Sequence, residues 1–141
     1  MQNVFTPEQA TRMLPLVRRI VRDIVDHYSL WQHAVGDFEM ATAGLRADAP
    51  SPEAEALQRQ VQHLAAEIER FRQELESLGV QLKGFDQGLV DFPGERDGRP
   101  ILLCWKLDEP EVGYWHEAGA GFAGRQPLEV TSSVSSTDSE P

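Results

Sequence analysis

The chain has 141 residues, with 13 Lys and Arg against 23 Asp and Glu, and a formal net charge of −10. This length fits one ordinary domain, and a composition of 40% hydrophobic and 26% charged residues is typical of a folded protein. The acidic balance argues against nucleic acid and anionic membranes as partners, because both attract a basic surface. The single cysteine excludes an intramolecular disulfide.

The sequence carries no targeting pattern that we can identify. The N-terminal residues lack the basic and then apolar regions of a secretory signal. No window approaches the ~18 apolar residues that a membrane span needs. We therefore expect a cytoplasmic protein with no membrane partner.

Residues 6–45 are predicted to form one long helix. Thr6, Pro7 and Gln9 follow the order of an N-cap, a first-turn proline and the glutamine of a capping box. Apolar residues then recur at alternating steps of four and three, which indicates a heptad seam. The seam consists of Ala10, Leu14, Val17, Val21, Ile24, Tyr28, Trp31, Val35, Phe38, Thr42 and Leu45.

A second heptad helix is predicted over residues 52–79, with Gly79 as its C-terminal cap. Glycine and proline between the two helices indicate a turn, so the pair is expected to form an antiparallel, coiled-coil-like hairpin. At ~1.5 Å per residue the first helix is the longer one. Its N-terminal part, including Leu14 and Val17, therefore needs another cover.

The pattern changes to short apolar runs after the second helix. The runs 89–92 and 101–105 flank Asp97-Gly98, which is the strongest short signal for a type I′ hairpin. A third run lies at 112–116. These runs predict a small antiparallel β-meander that packs on the uncovered part of the first helix.

The resulting fold class is α+β, mostly α. We expect a single domain over residues 1–128, in which the hairpin is followed by a small β/loop subdomain at 80–128. Residues 129–141 are rich in serine and nearly free of apolar side chains, so we expect a disordered tail.

The predicted hairpin register places Asp91 opposite Cys104 on one face of the sheet. A third strand beside the second brings His116 or Glu117 to the same neighbourhood. Asp91, Cys104, His116 and Glu117 together offer hard and borderline ligands that suit a divalent metal such as zinc or iron. The opposite face, with Val90, Phe92, Ile101, Leu103 and Trp105, is predicted to be core.

Structural roles for these residues are the favoured alternative. A lone cysteine commonly acts as a small hydrophobe, and a thiol between Leu103 and Trp105 is expected to be buried and inert as a nucleophile. His116-Glu117 has no second ligand at a recognised spacing. Structural use of the four residues is therefore preferred over a metal site.

A small-molecule site is a further alternative, with Asp91, Trp105 and Arg125 as its ligand-binding residues. Arg125 follows a glycine-rich segment that lacks the strand, helix and lysine of a phosphate-binding loop. It is expected either to bind an anion or to pair with Asp86 or Asp91. The other arginines cluster at Arg12, Arg18, Arg19 and Arg22, where a solvated helix face is preferred over an RNA-binding surface.

Several blocks of rare residues occur in a characteristic order. They are Gly88 to Pro93, Leu103 to Leu107, Tyr114 to Glu117 and Gly121 to Arg125, after an opening with Phe5-Thr6 and Met13-Leu14-Pro15. With these blocks the chain resembles, over roughly residues 4–128, a bacterial and archaeal family known as a domain of unknown function, DUF2203. The resemblance implies a long helical hairpin with a compact C-terminal portion and transfers no activity.

The favoured function is a homo-oligomeric interaction or structural module without enzymatic activity. A two-helix hairpin rarely buries both seams alone, so a homodimer through the hairpin is expected. The alternative is a metal-binding or small-ligand-binding protein, with or without enzymatic activity, whose site lies in the β/loop subdomain.

Overall fold

The computed structural model describes residues 4–45 and 51–128, in which two packed helices precede a five-stranded antiparallel sheet. Helix α1 spans Pro7–Thr42 and helix α2 spans Pro52–Ser77, within the predicted limits. The predicted tail at 129–141 lies outside the described residues. None of the helices in the described part of the chain is long and apolar enough to cross a membrane.

The capping box at the start of α1 is confirmed. The Thr6 hydroxyl accepts a hydrogen bond from the Gln9 backbone N–H at 3.1 Å, and the Gln9 side-chain oxygen accepts one from the Thr6 N–H at 2.9 Å. Ser51 caps α2 in the same way by accepting from the Ala54 N–H. These bonds satisfy backbone donors that the first helical turn leaves without a partner.

The sheet has two more strands than the three that the apolar runs predict. In chain order its strands are β1 (Gln81–Gly84), β2 (Leu89–Arg96), β3 (Arg99–Lys106), β4 (Tyr114–His116) and β5 (Gln126–Pro127), and each pairs with the next. β1 and β5 are edge strands of four and two residues. Segments this short carry too few alternating side chains to reveal a strand in the sequence.

The predicted turn and register of the central hairpin are confirmed. Asp97 and Gly98 both have positive φ, at 53° and 77°, as a type I′ turn requires. Arg96 therefore pairs with Arg99, and Asp91 with Cys104. The turn thus sets which side chains of β2 and β3 share a face.

The sheet covers the N-terminal half of α1, as the unequal helix lengths predict. Leu14 and Val17 of α1 belong to one buried cluster with Phe92, Leu103 and Trp105 of the sheet. Burial of such side chains contributes roughly 1.5–3 kcal/mol each. The same packing fixes the orientation of the central strands and therefore of the side chains on their other face.

Candidate metal centre

Three buried side chains converge on the face of the sheet opposite the core. Asp91 on β2 pairs with Cys104 on β3, and His116 on β4 pairs with Leu102, two residues from Cys104 and on the same face. The exposed fractions are 3% for Asp91, 0% for Cys104 and 2% for His116. One ligand atom from each, a carboxylate oxygen, a sulfur and an imidazole nitrogen, lies within 4.8 Å of the other two.

The backbone fixes which nitrogen of His116 carries a hydrogen. Nδ1 lies 2.7 Å from the carbonyl oxygen of Glu117, and a carbonyl oxygen can only accept, so Nδ1–H is the donor. In the neutral imidazole, Nε2 is then the lone-pair nitrogen. It faces Oδ1 of Asp91 at 3.1 Å.

The contact between Nε2 of His116 and Oδ1 of Asp91 needs a bridging proton or a bridging metal ion. A nitrogen lone pair and a carboxylate oxygen repel each other at hydrogen-bond distance, and neither group is exposed enough for water to screen them. Either one proton joins the pair or a metal ion binds to both. Metal-bound histidines characteristically donate their other N–H to a carbonyl or carboxylate, which is the arrangement that Nδ1 adopts here.

Cys104 is a protonated thiol at neutral pH in the absence of a metal. Burial raises the pKa of the Cys104 thiol to about 11, and the neighbouring Asp91 carboxylate adds to the increase. The thiol is buried, as expected, and few thiolates form at pH 7, which argues against a cysteine nucleophile. A bound divalent metal would remove the proton outright, because a coordinating thiol ionises.

Arg125 adjoins the same cluster from the loop before β5. Its Nη1 donates to the Cys104 sulfur at 3.8 Å, and its Nη2 forms an ion pair with Glu109. The guanidinium carbon lies 3.6 Å from the Tyr114 ring centroid and 4.6 Å from that of Phe122. Arg125 therefore pairs with Glu109 and not with Asp86 or Asp91, the two partners considered from the sequence.

Glu109 connects this arginine to the core. Its carboxylate accepts from the Lys106 N–H, and its carbonyl oxygen accepts from the Trp105 indole and from Arg18. Arg18 also stacks on the Trp105 ring at 5.5 Å, so this arginine does not belong to a solvated face as expected. Nothing in the sequence pattern singles out Glu109, which follows β3 in an acidic turn.

Two predicted site residues lie apart from Asp91, Cys104 and His116. The Glu117 carboxylate is half-exposed and binds Arg99 at 2.9 Å, because its side chain points to the surface while its carbonyl oxygen faces His116. Trp105 lies on the core face of β3, since adjacent residues of a strand point to opposite sides. Its contact with the site is indirect, through the Glu109 backbone.

Comparison with known proteins gives one match. The model of a family described as uncharacterized conserved protein (DUF2203) matches residues 3–128. No curated protein and no solved structure matches the chain.

Proposed function

We propose that this chain, which belongs to the family of uncharacterised conserved proteins DUF2203, binds one divalent transition metal. Asp91, Cys104 and His116 are the ligands, and zinc or iron is the metal. Nitrogen, oxygen and sulfur donors in one site suit these borderline ions better than magnesium or calcium, which prefer oxygen alone.

The observation that supports the proposal is the convergence of three buried ligand atoms on one point. They lie within 4.8 Å of one another, whereas the ligands of a tetrahedral zinc lie about 3.3–3.8 Å apart. We expect small rotations of these side chains to close that difference when the metal binds. The lone pair of His116 Nε2 already faces Asp91, so the metal replaces a proton that the pair otherwise needs.

Two further parts of the proposal have separate support. The net charge of −10 argues against a nucleic-acid partner. A free thiol at Cys104 suits a reducing compartment, which supports a cytoplasmic location.

Zinc titration of the purified chain tests the metal site. After treatment with a chelator, the wild type is expected to take up one zinc per chain in competition with a chromophoric chelator. Cys104→Ala is expected to weaken zinc binding by at least about 100-fold, because loss of even an outer-shell partner costs 10–100-fold. Glu117→Gln is the matched control, since the Glu117 carboxylate binds Arg99, and zinc affinity should stay within about twofold.

Two results would contradict the metal proposal. One is a folded wild-type chain that takes up no zinc. The other is an equal loss of affinity in Cys104→Ala and Glu117→Gln, which would indicate binding at exposed carboxylates. Circular dichroism on each variant establishes that the fold is retained.

A second candidate function is homodimerisation through the hairpin. The seam of α1 continues past the sheet, where Tyr28 stacks on Trp31 at 5.7 Å and contacts Phe85 at 5.3 Å between ring centroids. These aromatic side chains are only partly buried, and Phe85 is 36% exposed. Aromatic residues are enriched at protein interfaces, and a second copy offers the same apolar strip to form a bundle.

Light scattering after size exclusion tests the dimer. The wild type is expected to elute as a dimer at micromolar concentration, and Phe85→Glu as a monomer, because a carboxylate would be buried at the interface. Gln87→Glu adds the same charge to the same turn at an exposed residue and should stay dimeric. A monomeric wild type, or dissociation of both variants, would contradict this function.

A further inference from the structure

The largely buried guanidinium of Arg125 lies beside the proposed metal site, where it donates to the Cys104 sulfur. Three protein ligands leave a fourth position on a tetrahedral metal, as in catalytic zinc sites. We propose that a small carboxylate occupies this position and bridges the metal to Arg125. The inference rests on the proposed metal site and names the class of ligand that the site takes.

The distance between Arg125 and the metal fits a bridging carboxylate. Nη1 lies 3.8 Å from the Cys104 sulfur. Because a zinc–sulfur bond is about 2.3 Å, any metal held by Cys104 lies at most about 6 Å from Nη1. A carboxylate with one oxygen on the metal, at about 2.0–2.2 Å, and the other at hydrogen-bond distance from Nη1 spans such a gap.

Arg125 is held in place before any ligand arrives. Its side chain is 10% exposed and lies between the rings of Tyr114 and Phe122, so little conformational entropy remains to be lost on binding. A hydrogen bond from a guanidinium to a carboxylate is charge-assisted, which favours a carboxylate as the anion that Nη1 of Arg125 binds.

Glu109 forms an ion pair with Arg125 in the absence of a ligand. Its carboxylate forms the ion pair with Nη2 of Arg125 and also accepts from the Lys106 N–H. An incoming carboxylate at Nη1 meets a guanidinium whose positive charge the Glu109 carboxylate already offsets, so this ion pair weakens its binding.

Acetate titration of the cobalt-loaded full-length chain tests the inference. The visible absorption of Co²⁺ reports changes in its coordination, and chloride at equal ionic strength serves as the control anion. Arg125→Gln is expected to weaken acetate binding at least about tenfold, through loss of a charge-assisted hydrogen bond. Glu109→Gln is expected to strengthen it, because the offsetting ion pair is gone. Arg72→Gln, an arginine paired with Glu69 and Glu76 on the α2 surface, should leave acetate binding unchanged.

The results separate this inference from the metal proposal. Loss of Co²⁺ binding by the wild type would overturn both. Cobalt binding with an acetate affinity that is the same in wild type, Arg125→Gln and Glu109→Gln would overturn the carboxylate site alone. Arg125→Lys preserves the positive charge and is the control for a folding defect that loss of this charge could cause. Its acetate affinity should fall between those of wild type and Arg125→Gln. Equal affinity of the wild type for chloride and acetate would also overturn the bridge.

Discussion

Replacing His116 with alanine should lower the free energy of unfolding of the metal-free chain by about 3–5 kcal/mol. The Asp91 carboxylate is 4% exposed and has His116 Nε2 at 3.1 Å. Removal of the imidazole leaves that carboxylate buried without its partner and opens a cavity, and both effects destabilise the folded state. Urea denaturation at pH 7 in the presence of a chelator measures the change.

A double variant separates the loss of the Asp91–His116 interaction from the loss of side-chain packing. Asp91→Ala combined with His116→Ala removes both polar groups, so the double variant should be less destabilised than the sum of the single variants. Additive losses would contradict an energetic coupling between Asp91 and His116. They would also weaken the case for a shared cation between them.

Gly88→Ala should produce the second large effect, about 2–5 kcal/mol of lost stability. Gly88 has φ of +68°, and a Cβ there would lie 2.7 Å from Cγ1 of Val21 and 3.0 Å from Cβ of Leu107. The left-handed backbone costs an alanine about 1–2 kcal/mol, and overpacking against a fully buried valine adds about 1–3 kcal/mol. This glycine therefore allows the sheet to approach α1 closely.

Gly98→Ala is the matched control for the steric part. Gly98 also has positive φ, +77°, but a Cβ at this residue would meet nothing within 4 Å. Gly98→Ala should lower the free energy of unfolding only by the cost of the left-handed backbone for an alanine, about 1–2 kcal/mol. Equal losses in the two variants, measured by urea denaturation, would contradict the close approach of β2 and α1.

The site was partly readable from the sequence because one short turn sets the register of two strands. Asp97-Gly98 fixes the pairing of β2 with β3, and side chains on paired strands alternate between faces. Asp91 and Cys104 then have to lie on one face. The helices could be predicted for a different reason, because their apolar residues repeat every 3.5 residues over many turns.

The remaining parts of the site depend on side-chain direction and loop geometry. His116 and Glu117 are adjacent, yet only His116 points inward, and no period extends over the three residues of β4. Trp105 was grouped with the ligand-binding residues although its strand position assigns it to the core. The partnership of Arg125 with Glu109 depends on two loops 16 residues apart, whose contact no sequence pattern specifies.

X-ray absorption at the zinc edge of the zinc-loaded chain tests the metal site most directly, because it identifies the atoms bound to the metal. The metal proposal predicts one sulfur at about 2.3 Å with nitrogen and oxygen at about 2.0–2.2 Å. Cys104→Ala should lack the sulfur contribution. A zinc shell without sulfur in the wild type would contradict a site formed by Asp91, Cys104 and His116.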